Sequence, residues 1–103
     1  LRNTKVIDIV NELKDYNLQV KVHDPLASKE EASQEYGLQL STWQEMNNLD
    51  GIILAVAHEQ YQNMTAAEYD LLFRDPEQGI FMDIKGSLKP EIIKNAAWEY
   101  WRL

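Results

Sequence analysis

The segment Gly79-Ile80-Phe81-Met82-Asp83-Ile84-Lys85-Gly86 joins an apolar stretch of strand length to an Asp-x-Lys-Gly ending. One acid and one base emerge where a buried strand meets a loop. In open α/β sheets, ligands bind beyond the carboxyl ends of the strands. A lysine ammonium placed there is a point charge suited to a phosphate oxygen. Lys85 is therefore the first candidate for a phosphate or sugar-hydroxyl contact, with Gly86 letting the backbone approach. Judged by position alone, an exposed lysine in a turn is the commoner situation. Arg2 is the second candidate, because it lies just before the first predicted helix cap. A guanidinium there can join the helix N–H groups in holding an anion, although an ordinary terminal residue is the plainer alternative.

The remaining polar groups point less clearly to chemistry. His23-Asp24-Pro25 closes a predicted strand, and an acid at such a point binds ribose in dinucleotide-binding folds. None of the four glycines falls in a G-x-G-x-x-G arrangement, however, so an Asp-Pro turn is the safer reading. His58 follows a second apolar run and could reach a site at the sheet edge. With two histidines in the chain and no third ligand nearby, a zinc site is improbable. A Ser-His-Asp hydrolase would need a nucleophile elbow, which is missing. The aromatic tail could stack on a base, but aromatic side chains near a terminus are more often core.

The elements that position these groups alternate in kind. Val6, Ile9, Val10 and Leu13 recur at helical spacing, with Ile7 widening the stripe, and predict a helix over 3–15. Asn3 or Thr4 suits its start and Asn17 the residue after its end. Leu18, Val20 and Val22 alternate with polar residues and predict a strand that stops at Asp24-Pro25. Ser28 to Glu31, Ser41 to Gln44 and Thr65 to Glu68 carry the capping-box pattern and each predicts a short helix. The first should end at Gly37, the second before Asp50-Gly51 and the third near Arg74-Asp75-Pro76. Leu38-Gln39-Leu40 is enough for a brief strand. Ile52 to Ala57 and Ile80 to Ile84 lack polar alternation, as expected of parallel strands covered on both faces. Pro90 suits the first position of a last helix over 91–97. The tail from Trp98 to Leu103 should pack as a final short strand or docked segment.

Helices alternating with strands predict an α/β fold, a three-layer α/β/α Rossmann-like parallel sheet. The chain opens directly on a helix, so the sheet should lack its first strand, and the 103 residues read as one domain of a larger protein. Net charge is −7, which argues against nucleic acid or an anionic membrane as the main partner. It does not forbid a phosphate ligand, because a few local donors can outweigh the global field. The absence of cysteine excludes disulfides, thiolate nucleophiles and Cys-based zinc sites in this stretch. The longest apolar run, 52–57, is far too short to span a bilayer, and no signal peptide is visible, so a cytoplasmic location is the default.

Taken in order, the segments resemble the C-terminal domain of the UDP-glucose/GDP-mannose dehydrogenase family. Arg2-Asn3-Thr4-Lys5-Val6-Ile7-Asp8-Ile9 matches that family's Arg-x-Ser/Thr helix start, and Val20-Lys21-Val22-His23-Asp24-Pro25 its strand ending in Asp-Pro. Glu35-Tyr36-Gly37, Ala55-Val56-Ala57-His58-Glu59-Gln60-Tyr61, Asp83-Ile84-Lys85-Gly86 and the closing Tyr100-Trp101-Arg102-Leu103 complete the ordered set. The Ala-His-Glu-x-Tyr loop, Lys in Asp-x-Lys-Gly and the Tyr-Trp-Arg-Leu ending look most like the branch acting on UDP-N-acetylhexosamines. That branch makes uronic acids for O-antigen or capsule, including the Vi-type pathway.

The resemblance implies an NAD-dependent 6-dehydrogenase that oxidises the C6 alcohol of a UDP-sugar to a carboxylate in two steps through a cysteine in a middle domain. It implies that residues 1–103 form the UDP-sugar-binding domain, closing over substrate held with the enzyme's own N-terminal and central domains. Lys85 would then contact the UDP-sugar, and Arg2 would reach the NAD pyrophosphate across a domain interface. The family's first strand of this domain, its Phe-Lys loop, its catalytic cysteine and its Gly-rich NAD loop are not in this sequence. The stretch alone is therefore not expected to catalyse, and the full enzyme is expected to be a homo-oligomer. A different class of reading is a non-catalytic α/β module that docks on a partner protein through acidic helices and the aromatic tail.

Overall fold

The computed structural model describes residues 4–103, which divide into two compact units, one up to Met46 and one from Asn47 to Leu103. In the first unit, α1 (Thr4–Asp15) and α2 (Lys29–Tyr36) are the helices. The apolar stripe of α1 has one consequence: Val10 is buried with Ala32, Leu38 and Leu40, and Val6, Ile7, Val20, Val22 and Ala27 pack around them. Asn3, one of the two expected caps, lies outside the described residues. The other end of α1 stops at Asn17, which adopts φ 62°. Its N–H returns to the Lys14 carbonyl at 2.9 Å and that of Leu18 to Leu13 at 3.3 Å, a Schellman closure. Ser28 caps α2 by accepting from the Glu31 N–H, and Gly37 ends it at φ 64°, both as expected.

The strand expected over 18–22 does not form. Only Val22 pairs, in a single parallel bridge to Leu40, and Leu18 is exposed. Among the described residues, Leu38–Leu40 is its one partner segment, too short for a ladder. The alternation is still used, because Val20 and Val22 turn towards the apolar cluster. The second capping box is displaced by one residue. Thr42, not Ser41, begins the turn, and its N–H donates to Glu45 Oε1 at 2.8 Å. The Ser41 N–H is already bound to the Val22 carbonyl at 2.7 Å, so it cannot take part in a reciprocal box. The expected helix shrinks to a single 3₁₀ turn, Trp43–Glu45.

The second unit holds the sheet. Strands β1 (Gly51–Leu54), β2 (Ile80–Asp83) and β3 (Glu99–Arg102) lie in the order β1-β2-β3, all parallel. The β1–β2 crossover carries α3 (Glu59–Gln62) and α4 (Ala66–Asp70), and the β2–β3 crossover carries α5 (Pro90–Lys94). This is the Rossmann-like α/β arrangement expected, and the aromatic tail is its third strand. Thr65 opens α4 with a complete capping box. The helix ends before Arg74 because residues 72–74 are drawn into a bridge with Leu49. Leu49 N–H donates to the Leu72 carbonyl at 2.9 Å, and Arg74 N–H to the Leu49 carbonyl at 2.8 Å. Pro90 is the first residue of α5, as expected, but that helix ends at Lys94 rather than 97.

The core of this unit is aromatic. Phe81 is fully buried and stacks on Trp98 at 4.8 Å between centroids, with Tyr69 edge-on to it at 5.1 Å. Their polar atoms are satisfied: Tyr69 Oη donates to the Tyr61 carbonyl at 2.6 Å, and Trp98 Nε1 to Asp70 Oδ1 at 2.9 Å. Burying a side chain such as Phe81 is worth about 1.5–3 kcal/mol. In β2 the burial alternates, with Phe81 and Asp83 inside and Ile80 and Met82 exposed, so this strand is not covered on both faces as its sequence suggested. The apolar run of β2 conceals a period of two.

Candidate functional site

Because the strands are parallel and in register, Leu54, Asp83 and Arg102 sit side by side where all of them finish. The chain leaving β2 at this rim turns through Ile84 and Lys85 to Gly86 at φ 61°. The Ile84 N–H donates to the Leu54 carbonyl at 3.0 Å, holding the first residue of the turn to β1. A left-handed φ costs a residue with a Cβ about 1–2 kcal/mol, which accounts for glycine at this position.

Asp83 organises this turn and does not face a ligand. Its side chain has no exposed surface. It accepts from Tyr100 Oη at 2.6 Å, from the Leu88 N–H at 2.9 Å and from Ser87 Oγ at 3.2 Å. Burial by itself would raise the carboxyl pKa, but these donors, Tyr100 foremost, outweigh it and hold Asp83 below the ordinary carboxylate range. The partner responds in the opposite sense. Burial, followed by the hydrogen bond to Asp83, pushes Tyr100 up to about 12, so its hydroxyl keeps its proton at any physiological pH. The residues after β2 are thus wrapped around one buried anion, and Lys85 projects from the result into solvent.

Of the residues picked out by sequence, the structure puts Lys85 at the carboxyl rim of the middle strand, exposed and in no ion pair among the described residues. Arg2 lies outside the described residues. Asp24 accepts from the Leu26 N–H at 2.9 Å, the Asx turn that the Asp-Pro reading implies. His58 precedes α3 and packs edge-on against Tyr61 at 5.6 Å. No group of three or more metal-ligating side chains occurs among the described residues. Nor do these residues form a dinucleotide site, since the turn from β1 into α3, residues 55–58, contains no glycine to admit a pyrophosphate. A hollow of about 660 Å³ belongs to the first unit and is lined by residues of α2 and 37–40. It gathers no set of side chains suited to chemistry.

Sequence reasoning missed Tyr100 and Arg102 as parts of this rim. Both stand in the tail, and what links them to Asp83 is the β2–β3 register, which pairs Phe81 with Tyr100 and Asp83 with Arg102. The Asp-x-Lys-Gly spacing carries no trace of that pairing.

Comparison with known proteins agrees with the geometry. Residues 1–90 match the UDP binding domain of the UDP-glucose/GDP-mannose dehydrogenase family. A UDP-N-acetyl-D-glucosamine 6-dehydrogenase of Pseudomonas aeruginosa is 54% identical over 66 residues, 64% of this chain and 16% of that protein. Protein CapL of Staphylococcus aureus is 41% identical over all 103 residues, 23% of its length. A UDP-N-acetyl-D-glucosamine 6-dehydrogenase of Salmonella typhi is 33% identical over 91 residues, 88% of this chain and 21% of that protein. The chain thus spans about a fifth of the length of these relatives. No solved structure matches it significantly. Among the described residues, no helix is long and apolar enough to cross a membrane.

Proposed function

The chain belongs to the UDP-glucose/GDP-mannose dehydrogenase family, as its UDP binding domain, and from that premise we propose that it grips the UDP end of a nucleotide sugar in an NAD-dependent 6-dehydrogenase. The substrate is a UDP-N-acetylhexosamine or UDP-glucose, oxidised at C6 to the uronic acid for a surface polysaccharide. Two of the relatives bear the name of such a dehydrogenase. Lys85 supplies the contact to the UDP-sugar, and Arg2 reaches towards the NAD pyrophosphate. The NAD itself is held by other parts of the enzyme, since the described residues offer no glycine-lined turn for it. NAD serves as hydride acceptor there. This chain's residues bind and orient the substrate, and with no cysteine they form no covalent intermediate. The full enzyme works in the cytoplasm as a homo-oligomer, with this domain docked on its own N-terminal and central domains.

The observation that carries the reading is the placement of Lys85. It is an exposed ammonium at the end of the middle strand of a parallel sheet, on a turn that a buried carboxylate holds in shape. A protein of net charge −7 needs such a local cation to take an anionic ligand. In the full-length enzyme, Lys85→Ala should raise KM for the UDP-sugar by about one to two decades. That is the effect of losing a charge-assisted hydrogen bond of roughly 1.5–3 kcal/mol. Affinity for NAD should stay as it was. A sugar KM equal to that of the wild type rejects the assignment.

A further inference from the structure

We propose that Arg102 is a second cation of the same site, and that it holds the diphosphate of the nucleotide jointly with Lys85; this deepens the reading above and rests on it. The β2–β3 register sets Arg102 directly beside Asp83. An arginine next to a buried carboxylate would ordinarily form an ion pair with it. Here Asp83 is already occupied by Tyr100, Leu88 and Ser87. Among the described residues Arg102 makes no ion pair, in contrast to Arg74, which meets Asp50 at 3.5 Å. Arg102 is exposed at the rim.

Its side chain also lies in the right place. A Cβ built on Gly86 would stand 3.4 Å from Arg102 Cδ and 3.6 Å from Arg102 Nη1. The arginine therefore runs alongside the turn that carries Lys85. With no Cβ, Gly86 lets the Arg102 side chain lie against this turn. The fork can take two oxygens of one phosphate while the ammonium takes a third. A diphosphate presents enough oxygens to engage both groups at once. A monophosphate should draw less from the pair, and an uncharged nucleoside nothing.

The test is equilibrium binding of UDP, UMP and uridine to the full-length protein by calorimetry. The variants are Lys85→Ala, Arg102→Gln, Arg102→Lys and the Lys85→Ala/Arg102→Gln double. Arg102→Gln keeps the aliphatic stem over Gly86 but removes the charge, and an unchanged urea midpoint confirms that the fold survives. Arg102→Gln should weaken UDP binding about tenfold and UMP binding less, with uridine affinity unmoved. Arg102→Lys, which keeps the charge but not the fork, should recover only part of the loss. The double variant should lose less than the product of the single losses, because both groups act on one ligand. If Lys85→Ala weakens UDP binding and Arg102→Gln does not, the inference fails while the proposed function stands. If the wild type does not bind UDP at all, both fall. Equal losses for UDP and uridine would make Arg102 a merely structural residue and also overturn the inference.

Discussion

Tyr100→Phe isolates the contact on which the shape of the site depends. The substitution removes one hydroxyl and leaves the ring that stacks on Phe81 at 6.2 Å between centroids. What is lost is a 2.6 Å hydrogen bond to the buried carboxylate of Asp83, which retains Leu88 and Ser87 as donors. Hydrogen bonds to charged groups are worth about 1.5–3 kcal/mol, and the partial burial of Tyr100 places this one near the lower end, about 1.5–2 kcal/mol. With a urea slope of about 1.5–2 kcal/mol/M, the unfolding midpoint should fall by about 1 M at pH 7. Fluorescence of Trp98, buried against Phe81, reports the transition of residues 47–103.

The pH dependence follows from the sign of the Asp83 shift. Its folded pKa is depressed, so its contribution is complete above the unfolded value of about 3.9 and is lost as pH falls through the folded value. Removing the Tyr100 hydroxyl takes away the strongest of the interactions that lower the folded pKa. The acid loss should then be smaller, and complete at a higher pH, in Tyr100→Phe than in the wild type. The gap between the two proteins should narrow below about pH 4, as both carboxyls become protonated and the bond becomes a neutral one. A gap of less than about 0.5 kcal/mol at pH 7, or one that stays constant through the acid range, would refute the claim that Asp83 is an ionised anchor held mainly by Tyr100.

Substitutions at three further positions probe the frame around the site, beside the Lys85 and Arg102 series described above. A Cβ on Gly79 would fall 2.6 Å from two ring carbons of the buried Phe73, whereas one on Gly51 would meet only the Ile80 carbonyl at 3.7 Å. Gly79→Ala should therefore cost about 1–3 kcal/mol by overpacking and Gly51→Ala much less, as read by urea unfolding; equal costs would contradict the packing described. Thr65→Ala removes the hydroxyl that accepts from the Glu68 N–H at 3.1 Å. Denaturation should register a loss of about 1 kcal/mol, while Ser at this position should retain the cap and most of the stability.

Much of this protein was determined locally and could be read from its order of residues. Helices start where a hydroxyl or a proline can complete the first turn, as at Ser28, Thr65 and Pro90, and stop where Asn17 and Gly37 accept a left-handed φ. The same is true of the α/β alternation, of the tail as a third strand and of Lys85 as an exposed cation after a strand, since each depends on neighbours a few residues apart. Tertiary structure decided the rest. Leu18 to Val22 has the pattern of a strand but finds a partner for only one residue, because a ladder needs a second segment of matching length. Ser41 loses its box to Thr42 because its amide is captured by Val22, a residue 19 positions away. Above all, whether the acid of Asp-x-Lys-Gly faces a ligand or the core depends on β3 arriving in register beside β2. That register brings a tyrosine hydroxyl to within 2.6 Å of Asp83, takes up the carboxylate and leaves Arg102 exposed at the rim. Pairing between residues 19 positions apart is fixed by the packing of the whole unit, so no local pattern could announce it.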